Sequence, residues 1–257
     1  MTGPLHLAAA FAAAFLAGAI NSVAGGGTLV TFPVLVWLGL PSVVANATST
    51  VGIWPGSLGS VWGFRRELAR ADRVMLWLIP PSLVGGALGA VLLRRTSPAA
   101  FDRIVPFLIL FATLLFALRG AVQRWLGSRA AREARSRTWF GLGVLFQLAV
   151  ATYGGYFGAG VSIIMLSALG ILGMADILEM NALTSLFSLC INGIAIAVFI
   201  AAGLVRWQYV LAMAAGALLG GYGAAGVARR VGAKAVRTFV IGVGGVLTVV
   251  FFVRSFG

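Results

Sequence analysis

The sequence predicts an all-α, polytopic membrane protein made of two five-segment repeats with inverted topology. Three observations predict this class. Hydrophobic residues make up 60% of the chain, charged residues only 10%, and the mean hydropathy is +1.02. Long blocks without charge separate the basic residues, and several polar landmarks recur at one offset. Because a span needs about 20 apolar residues, we expect eight to ten transmembrane helices and no soluble domain.

The net charge of +13 would suggest a nucleic-acid ligand in a soluble protein. Here most arginines lie between apolar blocks, where the preference of basic residues for cytoplasmic loops explains them. The single cysteine, Cys190, lies in an apolar run and cannot form a disulfide framework or a metal cluster. The predicted partner is therefore the lipid bilayer, with no nucleic acid, metal or other cofactor, and the oligomeric state stays open.

An internal duplication is indicated by residues that recur at a fixed offset. At a shift of 135 residues the matched pairs are Asn46-Ala47 with Asn181-Ala182, Ser49-Thr50 with Thr184-Ser185, Gly85-Gly86 with Gly220-Gly221, and Arg94-Arg95 with Arg229-Arg230. At a shift of 133, Gly25 and Gly27 coincide with Gly158 and Gly160. The predicted repeats are 1–119 and 138–257, joined by a basic cytoplasmic linker, 120–137.

Each repeat contains five hydrophobic segments. Those of the first repeat are 4–23, 26–39, 41–63, 73–94 and 103–119, and those of the second are 138–156, 158–174, 176–203, 207–228 and 236–254. The second segment of each repeat is short and bounded by glycine or proline, which is typical of a half-helix. The first two segments contribute an even number of crossings, so each repeat crosses the membrane an odd number of times and the repeats are inverted.

The distribution of basic residues agrees with inversion. With the linker in the cytoplasm, inverted repeats place fourteen basic residues inside and five outside, whereas parallel repeats would place twelve inside and seven outside. The positive-inside rule favours the first arrangement. We therefore predict a multi-pass protein of the bacterial inner membrane, with both chain ends in the periplasm.

Two glycine-rich interruptions predict a binding site for an anion. A broken helix inside a membrane is tolerated where its freed backbone groups are buried or line a wet cavity, and the N-terminus of the resumed helix attracts negative charge. Neutral hydrogen-bonding residues flank both interruptions. The predicted substrate-binding residues are Asn21, Gly25, Gly26, Gly27, Thr28, Asn46, Thr48 and Ser49 in the first repeat and Gly158, Gly160, Ser162, Asn181, Thr184 and Ser185 in the second.

A packing interpretation competes with this site. Small residues also allow membrane helices to approach closely, and we assign that role to the pairs Gly85-xxx-Gly89 and Gly216-xxx-Gly220. For single Ser and Thr residues we favour a role in packing, or a hydrogen bond from the hydroxyl to a carbonyl of the same helix. Placing an amide side chain in lipid costs free energy, so we interpret Asn46 and Asn181 as functional residues.

The stretch AGGGTLVTFPVLVWLGLPSVVANATSTVG resembles the N-terminal signature of the sulfite exporter TauE/SafE family, and GAGVSIIMLSALGILGMADILEMNALTSL resembles its second-half repeat. The resemblance covers nearly the whole chain. It implies an inner-membrane permease for small anions, with sulfite and organosulfonates such as sulfoacetate as cargo. The positions that carry it are Gly25 to Gly27, Pro33, Gly39 to Pro41, Ala47 to Ser49, Gly158, Gly160, Thr184 and Ser185.

Energetics favour export of this anion, because an inside-negative potential releases roughly 2.3 kcal/mol per 100 mV for each negative charge that leaves. We expect this export to occur by alternating access between the repeats. Uptake would need a coupling ion, for which Glu179, beside Asp176, is the only candidate. Proton-coupled uptake and an anion channel remain alternatives, followed by a non-transporting assembly protein. One histidine, one cysteine and no intramembrane carboxylate cluster argue against an enzyme.

Overall fold

The computed structural model of the chain describes residues 3–21, 26–71, 73–129, 137–172, 174, 176–223 and 233–256. All regular structure in these ranges is helical. Gly25, one of the predicted site residues, lies outside the described residues.

Eleven α-helices are defined in the described ranges. Those of the first half are α1 (Pro4–Asn21), α2 (Thr28–Trp37), α3 (Ser42–Gly63), α4 (Arg65–Arg70), α5 (Ile79–Arg95) and α6 (Pro98–Arg129), with a 3-10 helix at Arg73–Leu78 before α5. Those of the second half are α7 (Arg137–Tyr156), α8 (Val161–Ile171), α9 (Ile177–Ala201), α10 (Trp207–Gly223) and α11 (Ala233–Phe256).

Helix α6 departs most from the segments expected from the sequence. It begins at Pro98 instead of 103 and continues to Arg129, well into the stretch expected to be a linker. Proline at the first position of a helix loses no hydrogen bond. A helix can also leave the membrane and continue in water, so hydrophobicity alone underestimates its length.

Among the described residues, five helical stretches are long and apolar enough to cross a membrane, namely Pro4–Asn21, Arg73–Arg95, Pro98–Leu118, Leu178–Ala201 and Thr238–Phe256. This is fewer than the eight to ten expected. The described helices α2 and α8 are too short, with 10 and 11 residues. Helix α3 has 22 residues but is not among the five, because its Ser, Thr, Asn and Gly residues lower its hydropathy.

Three helix contacts each have a counterpart in which the helices of the first half and of the second half change places. Helix α1 packs on α10 as α7 packs on α5, and α3 packs on α10 as α9 packs on α5. Likewise, α2 packs on α11 as α8 packs on α6. The pairs α3–α9 and α6–α11 each join helices at corresponding places in the two halves.

Glycine allows two of these pairs to pack with their backbones in contact. A Cβ atom at Gly220 in α10 would collide with the carbonyl oxygen of Phe15 in α1. A Cβ atom at Gly89 in α5 would collide with the carbonyl oxygen of Thr152 in α7. The glycines predicted to pack helices, Gly85, Gly89, Gly216 and Gly220, all make such contacts, which confirms that interpretation.

Tryptophans occupy two kinds of position. Trp62, Trp77 and Trp207 lie near helix ends and are more than half exposed, as expected for a belt at the membrane interface. Trp54 lies in the middle of α3, where its indole N–H donates to the carbonyl oxygen of Leu189 in α9 over 3.3 Å. Trp54 and Leu189 are separated by the same 135 residues as the matched pairs in the sequence, so α3 and α9 contact each other at corresponding positions.

The glycine contact between α1 and α10 predicts how a substitution of Gly220 changes the stability of the protein. Gly220→Ala should destabilise the protein by about 1–3 kcal/mol, because the added methyl group has no space against Phe15. Gly245 in α11 has no neighbour within 4 Å of an added Cβ, so Gly245→Ala is the matched control and should be neutral or slightly stabilising. Thermal unfolding in detergent measures both variants. Equal shifts of the unfolding temperature in the two variants would contradict this contact.

Candidate functional site

The first interruption separates α1 from α2. The side-chain Oδ1 of Asn21, at the end of α1, accepts a hydrogen bond from the backbone N–H of Gly27 over 2.8 Å. Gly26 adopts a φ of 91° and lies against the ring of Phe116 from α6, so a side chain there would be strained and would collide. Asn21 therefore caps the start of α2 from the preceding helix and supplies its side-chain oxygen to the protein itself.

The second interruption separates α7 from α8. Gly158 and Gly160 have φ values of 78° and 75°, a region that other residues rarely adopt. Between them, the carbonyl oxygen of Ala159 accepts a hydrogen bond from the hydroxyl of Tyr153 over 2.6 Å. The two interruptions thus use the same device, in which a side chain of the preceding helix satisfies a backbone group of the break.

Both interruptions lie against one turn of α6. Gly26 contacts the ring of Phe116, and a Cβ atom at Gly160 would lie 3.3–3.6 Å from atoms of Leu115 and Ala112. Ala112 and Phe116 are four residues apart and share a helix face. The structure therefore brings the two predicted glycine clusters to the same level of α6, although they are far apart in the sequence.

A buried hydroxyl pair connects α3 to the start of α2. The Oγ of Ser49 and the Oγ1 of Thr31 are 2.6 Å apart, and neither residue is exposed. Thr31 also donates to the carbonyl oxygen of Gly27 over 3.2 Å, so Ser49 is the donor to Thr31. Thr31 is not among the predicted site residues, because its counterpart at offset 133 is Ile164; its position one turn after Gly27 is the signal that indicates it.

Asn46 connects α3 to the end of α7. Its Nδ2 donates to the carbonyl oxygen of Tyr156 over 2.9 Å, two residues before Gly158. Only 1% of Asn46 is exposed, and its Oδ1 has no hydrogen-bond partner in the described part of the chain. One N–H of the Asn46 amide is thus used inside the protein, and the buried atom that lacks a partner is the acceptor Oδ1.

Thr48 connects α3 to the start of α10. Its Oγ1 accepts a hydrogen bond from the backbone N–H of Arg206 over 3.1 Å. Arg206 is exposed, and the contact with α3 is made by its backbone. The charge pattern predicts a periplasmic position for Arg206 and gives no sign of this contact.

On α9 the predicted residues divide into two groups. Ser185 donates to the carbonyl oxygen of Asn181 over 2.8 Å, which is the helix-internal bond expected for single serines. Thr184 is buried and its Oγ1 has no partner among the described residues, as is also true of the Oγ of Ser188 one turn later. Thr184 and Ser188 therefore present hydroxyl groups that could donate to an anion. Ser162 and Thr28, in the first turns of α8 and α2, are half-buried.

The acidic residues before Asn181 lie at the start of α9. The carboxylate of Asp176 caps the helix by accepting hydrogen bonds from the N–H groups of Leu178 and Glu179, over 2.8 and 3.4 Å. Glu179 is half-buried in the first turn, where a negative charge interacts favourably with the helix dipole. No group of three His, Cys, Asp or Glu side chains suited to a metal ion occurs within the described ranges.

Comparison with known proteins identifies the family. Residues 10–251 match the family described as sulfite exporter TauE/SafE. The chain belongs to this family. The resemblance seen in the glycine-rich stretches is thereby confirmed, and TauE/SafE is a family of transporters, not of enzymes.

Curated relatives of this TauE/SafE protein match over most of their length. A "Probable membrane transporter protein" of Haemophilus influenzae is 31% identical over 83% of this chain and 82% of its own. The "Probable membrane transporter protein YfcA" of Escherichia coli K12 is 27% identical over 100% of this chain and 93% of its own. The "Probable membrane transporter protein ORF9" of a Sinorhizobium species is 29% identical over 91% and 88%. No solved structure matches the chain.

The hydroxyl pair between α2 and α3 can be measured with a double-mutant cycle. Thr31→Val and Ser49→Ala should each destabilise the protein, and their coupling energy should be about 1 kcal/mol because the two side chains share one buried hydrogen bond. Chemical unfolding in detergent micelles gives the free energies. Thr31→Val combined with Thr113→Val is the control, since Thr113 donates to Ile109 within α6, and these effects should add. Additivity of the Thr31 and Ser49 effects would rule out the bond.

Proposed function

We propose that this protein exports small anions, most favourably sulfite or an organosulfonate, across the bacterial inner membrane. Transport occurs by alternating access between inverted repeats and is driven by the membrane potential. Membership of the sulfite exporter family supports the cargo, and the names of the relatives support the transport activity.

The convergence of the two interruptions on one turn of α6 carries this proposal. Helices α2 and α8 begin there, and helix N-termini attract anions without a fixed positive charge. The unpartnered hydroxyls of Thr184 and Ser188 add donors that hold an oxyanion less strongly than arginine would. A weakly held ligand can leave, which a transporter requires.

The exchangeable helix pairings support the inverted repeat. If α1–α3, α5 and α6 correspond to α7–α11 in order, the pairings described above map onto each other. The contact between Trp54 and Leu189, which are equivalent by the offset, fits a pseudo-two-fold axis through the α3–α9 crossing. If each repeat crosses the membrane an odd number of times, the repeats are inverted and this axis lies in the plane of the membrane.

Export needs no coupling ion in this scheme, since the potential repels an anion from the cytoplasm at roughly 2.3 kcal/mol per 100 mV. Residues 1–64, which include α1, α2 and α3, contain no charged side chain at all. The capping role of Asp176 gives that carboxylate a structural task and leaves Glu179 for the uptake alternative.

Flux through proteoliposomes tests the proposal. Sulfite or sulfoacetate flux should follow an imposed potassium-diffusion potential without a proton gradient. Thr184→Val, which removes a buried hydroxyl without a change of shape, should reduce this flux about tenfold if the hydroxyl binds the anion. Thr248→Val is the matched control, because Thr248 is also buried but donates to Gly244 within α11.

The rival functions give different results in the same vesicles. Flux that requires a proton gradient and disappears with Glu179→Gln would establish coupled uptake instead. Unitary currents in planar bilayers would indicate a channel. A complete lack of flux for all anions, in protein that is monodisperse, would favour the assembly protein.

Topology is tested with single cysteines in a Cys190→Ser background. Ala69 in α4 and Arg206 before α10 are both exposed, and the counterpart of Ala69 at offset 135 is Leu204, two residues before Arg206. With inverted repeats, an impermeant maleimide should label Arg206→Cys from the periplasm and Ala69→Cys only after permeabilisation. Labelling of both from one side would establish parallel repeats.

A further inference from the structure

The amide of Asn46 indicates which chemical class of anion the site accepts. Its Nδ2 donates to the carbonyl oxygen of Tyr156, and its buried Oδ1 has no partner within the described ranges. Building on the anion transport proposed above, we infer that the cargo carries its own hydrogen-bond donor, an O–H or N–H group, and that Asn46 Oδ1 accepts this bond.

The orientation of the amide follows from its neighbour. A backbone carbonyl can only accept, so the amide nitrogen must face Tyr156 and the amide oxygen must point away. Turning the amide over would place two acceptors 2.9 Å apart. The buried atom of Asn46 that lacks a partner is therefore an acceptor for as long as the bond to Tyr156 exists.

The three polar residues that follow Asn46 within one turn of α3 are all paired, whereas the buried Oγ of Ser42, one turn before Asn46, has no partner within the described ranges. Thr48 accepts from the backbone of Arg206, Ser49 bonds Thr31, and Thr50 donates to the carbonyl oxygen of Asn46. Only Asn46 among these four has a buried atom without a partner. A buried acceptor without a donor is destabilising, which points to a partner that comes from outside the chain.

The surroundings strengthen such a bond. The ring of Tyr156 lies 5.6 Å from that of Phe101, which packs in turn on Phe32 at 6.3 Å and Phe157 at 6.4 Å. Phe32, Phe101 and Phe157 are almost completely buried. An apolar environment raises the strength of a hydrogen bond and the penalty for an unmatched one.

A bare oxyanion does not suit this acceptor, since two electron-rich oxygens repel each other. A singly protonated anion such as hydrogensulfite, or a sulfonate with a hydroxyl group, can donate its proton to Asn46 and direct its charge towards the helix N-termini. One amide oxygen is too few for a metal cation, which takes several oxygen ligands.

Two sulfonates of equal charge and similar shape test the inference. In 2-hydroxyethanesulfonate a hydroxyl group replaces the terminal methyl group of propane-1-sulfonate. Titrations of the purified full-length protein by calorimetry should show three- to tenfold tighter binding of the hydroxy compound, about the value of one hydrogen bond. Asn46→Leu should abolish this preference, so that the two sulfonates bind with equal affinity.

Gln147→Leu provides the control for loss of a buried amide elsewhere. Gln147 in α7 donates to the hydroxyl of Ser82 over 2.8 Å, so its replacement should retain the preference. Equal affinities in the wild type, as expected if a fixed water already occupies Oδ1, would overturn the inference, as would a preference that survives Asn46→Leu. The comparison of the two sulfonates on the wild-type protein tests the inference even if Asn46→Leu does not fold. If neither sulfonate binds, the anion-transport proposal fails instead.

Discussion

Lipid cannot hydrogen-bond to the backbone, and this constraint governs how α1 and α7 can end within the fold. Each break is possible because the preceding helix supplies a polar side chain one or two turns away, Asn21 for the N–H of Gly27 and Tyr153 for the carbonyl of Ala159. The glycines then adopt backbone angles that let the chain reverse and resume as α2 and α8. Without these bonds the short helices would expose unpaired groups, and the two N-termini could not lie together on α6. The chemistry of the site therefore depends on the capping of its own discontinuities.

A second consequence concerns what the site can offer a ligand. Several residues expected to donate to an anion are engaged within the protein, since Asn21, Ser49 and Asn46 each bond a backbone or side-chain partner. The buried groups without a partner in the described part of the chain include the hydroxyls of Thr184 and Ser188 and the amide oxygen of Asn46. They differ in kind, because the hydroxyls can donate and the amide oxygen can only accept. A site of this composition suits an anion with an uneven distribution of charge and protons.

The sequence predicts the class of the protein, the places of both interruptions and the packing glycines, because apolar length and glycine spacing are local signals. The hydrogen-bond partners of the polar side chains are not local in the sequence. Thr31 could be linked to Ser49 only through the antiparallel packing of α2 on α3, and the link from Asn46 to Tyr156 spans both halves of the chain. The orientation of the Asn46 amide depends on that distant carbonyl, so the sequence suggested a donor, whereas the atom that the structure leaves without a partner is an acceptor. Helix α6 was underestimated for a simpler reason, since hydrophobicity marks the membrane and not the end of a helix.

The glycine contacts also determine which parts of the molecule can move together. Because α10 lies with its backbone against α1, and α5 lies likewise against α7, each cluster of helices holds one helix from the other half of the chain. Bodies that separate at the α3–α9 crossing would therefore be α1, α2, α3 and α10 on one side and α5, α7, α8 and α9 on the other. The connections from α3 to α5 and from α9 to α10 would then run between the two bodies and would have to bend when these separate.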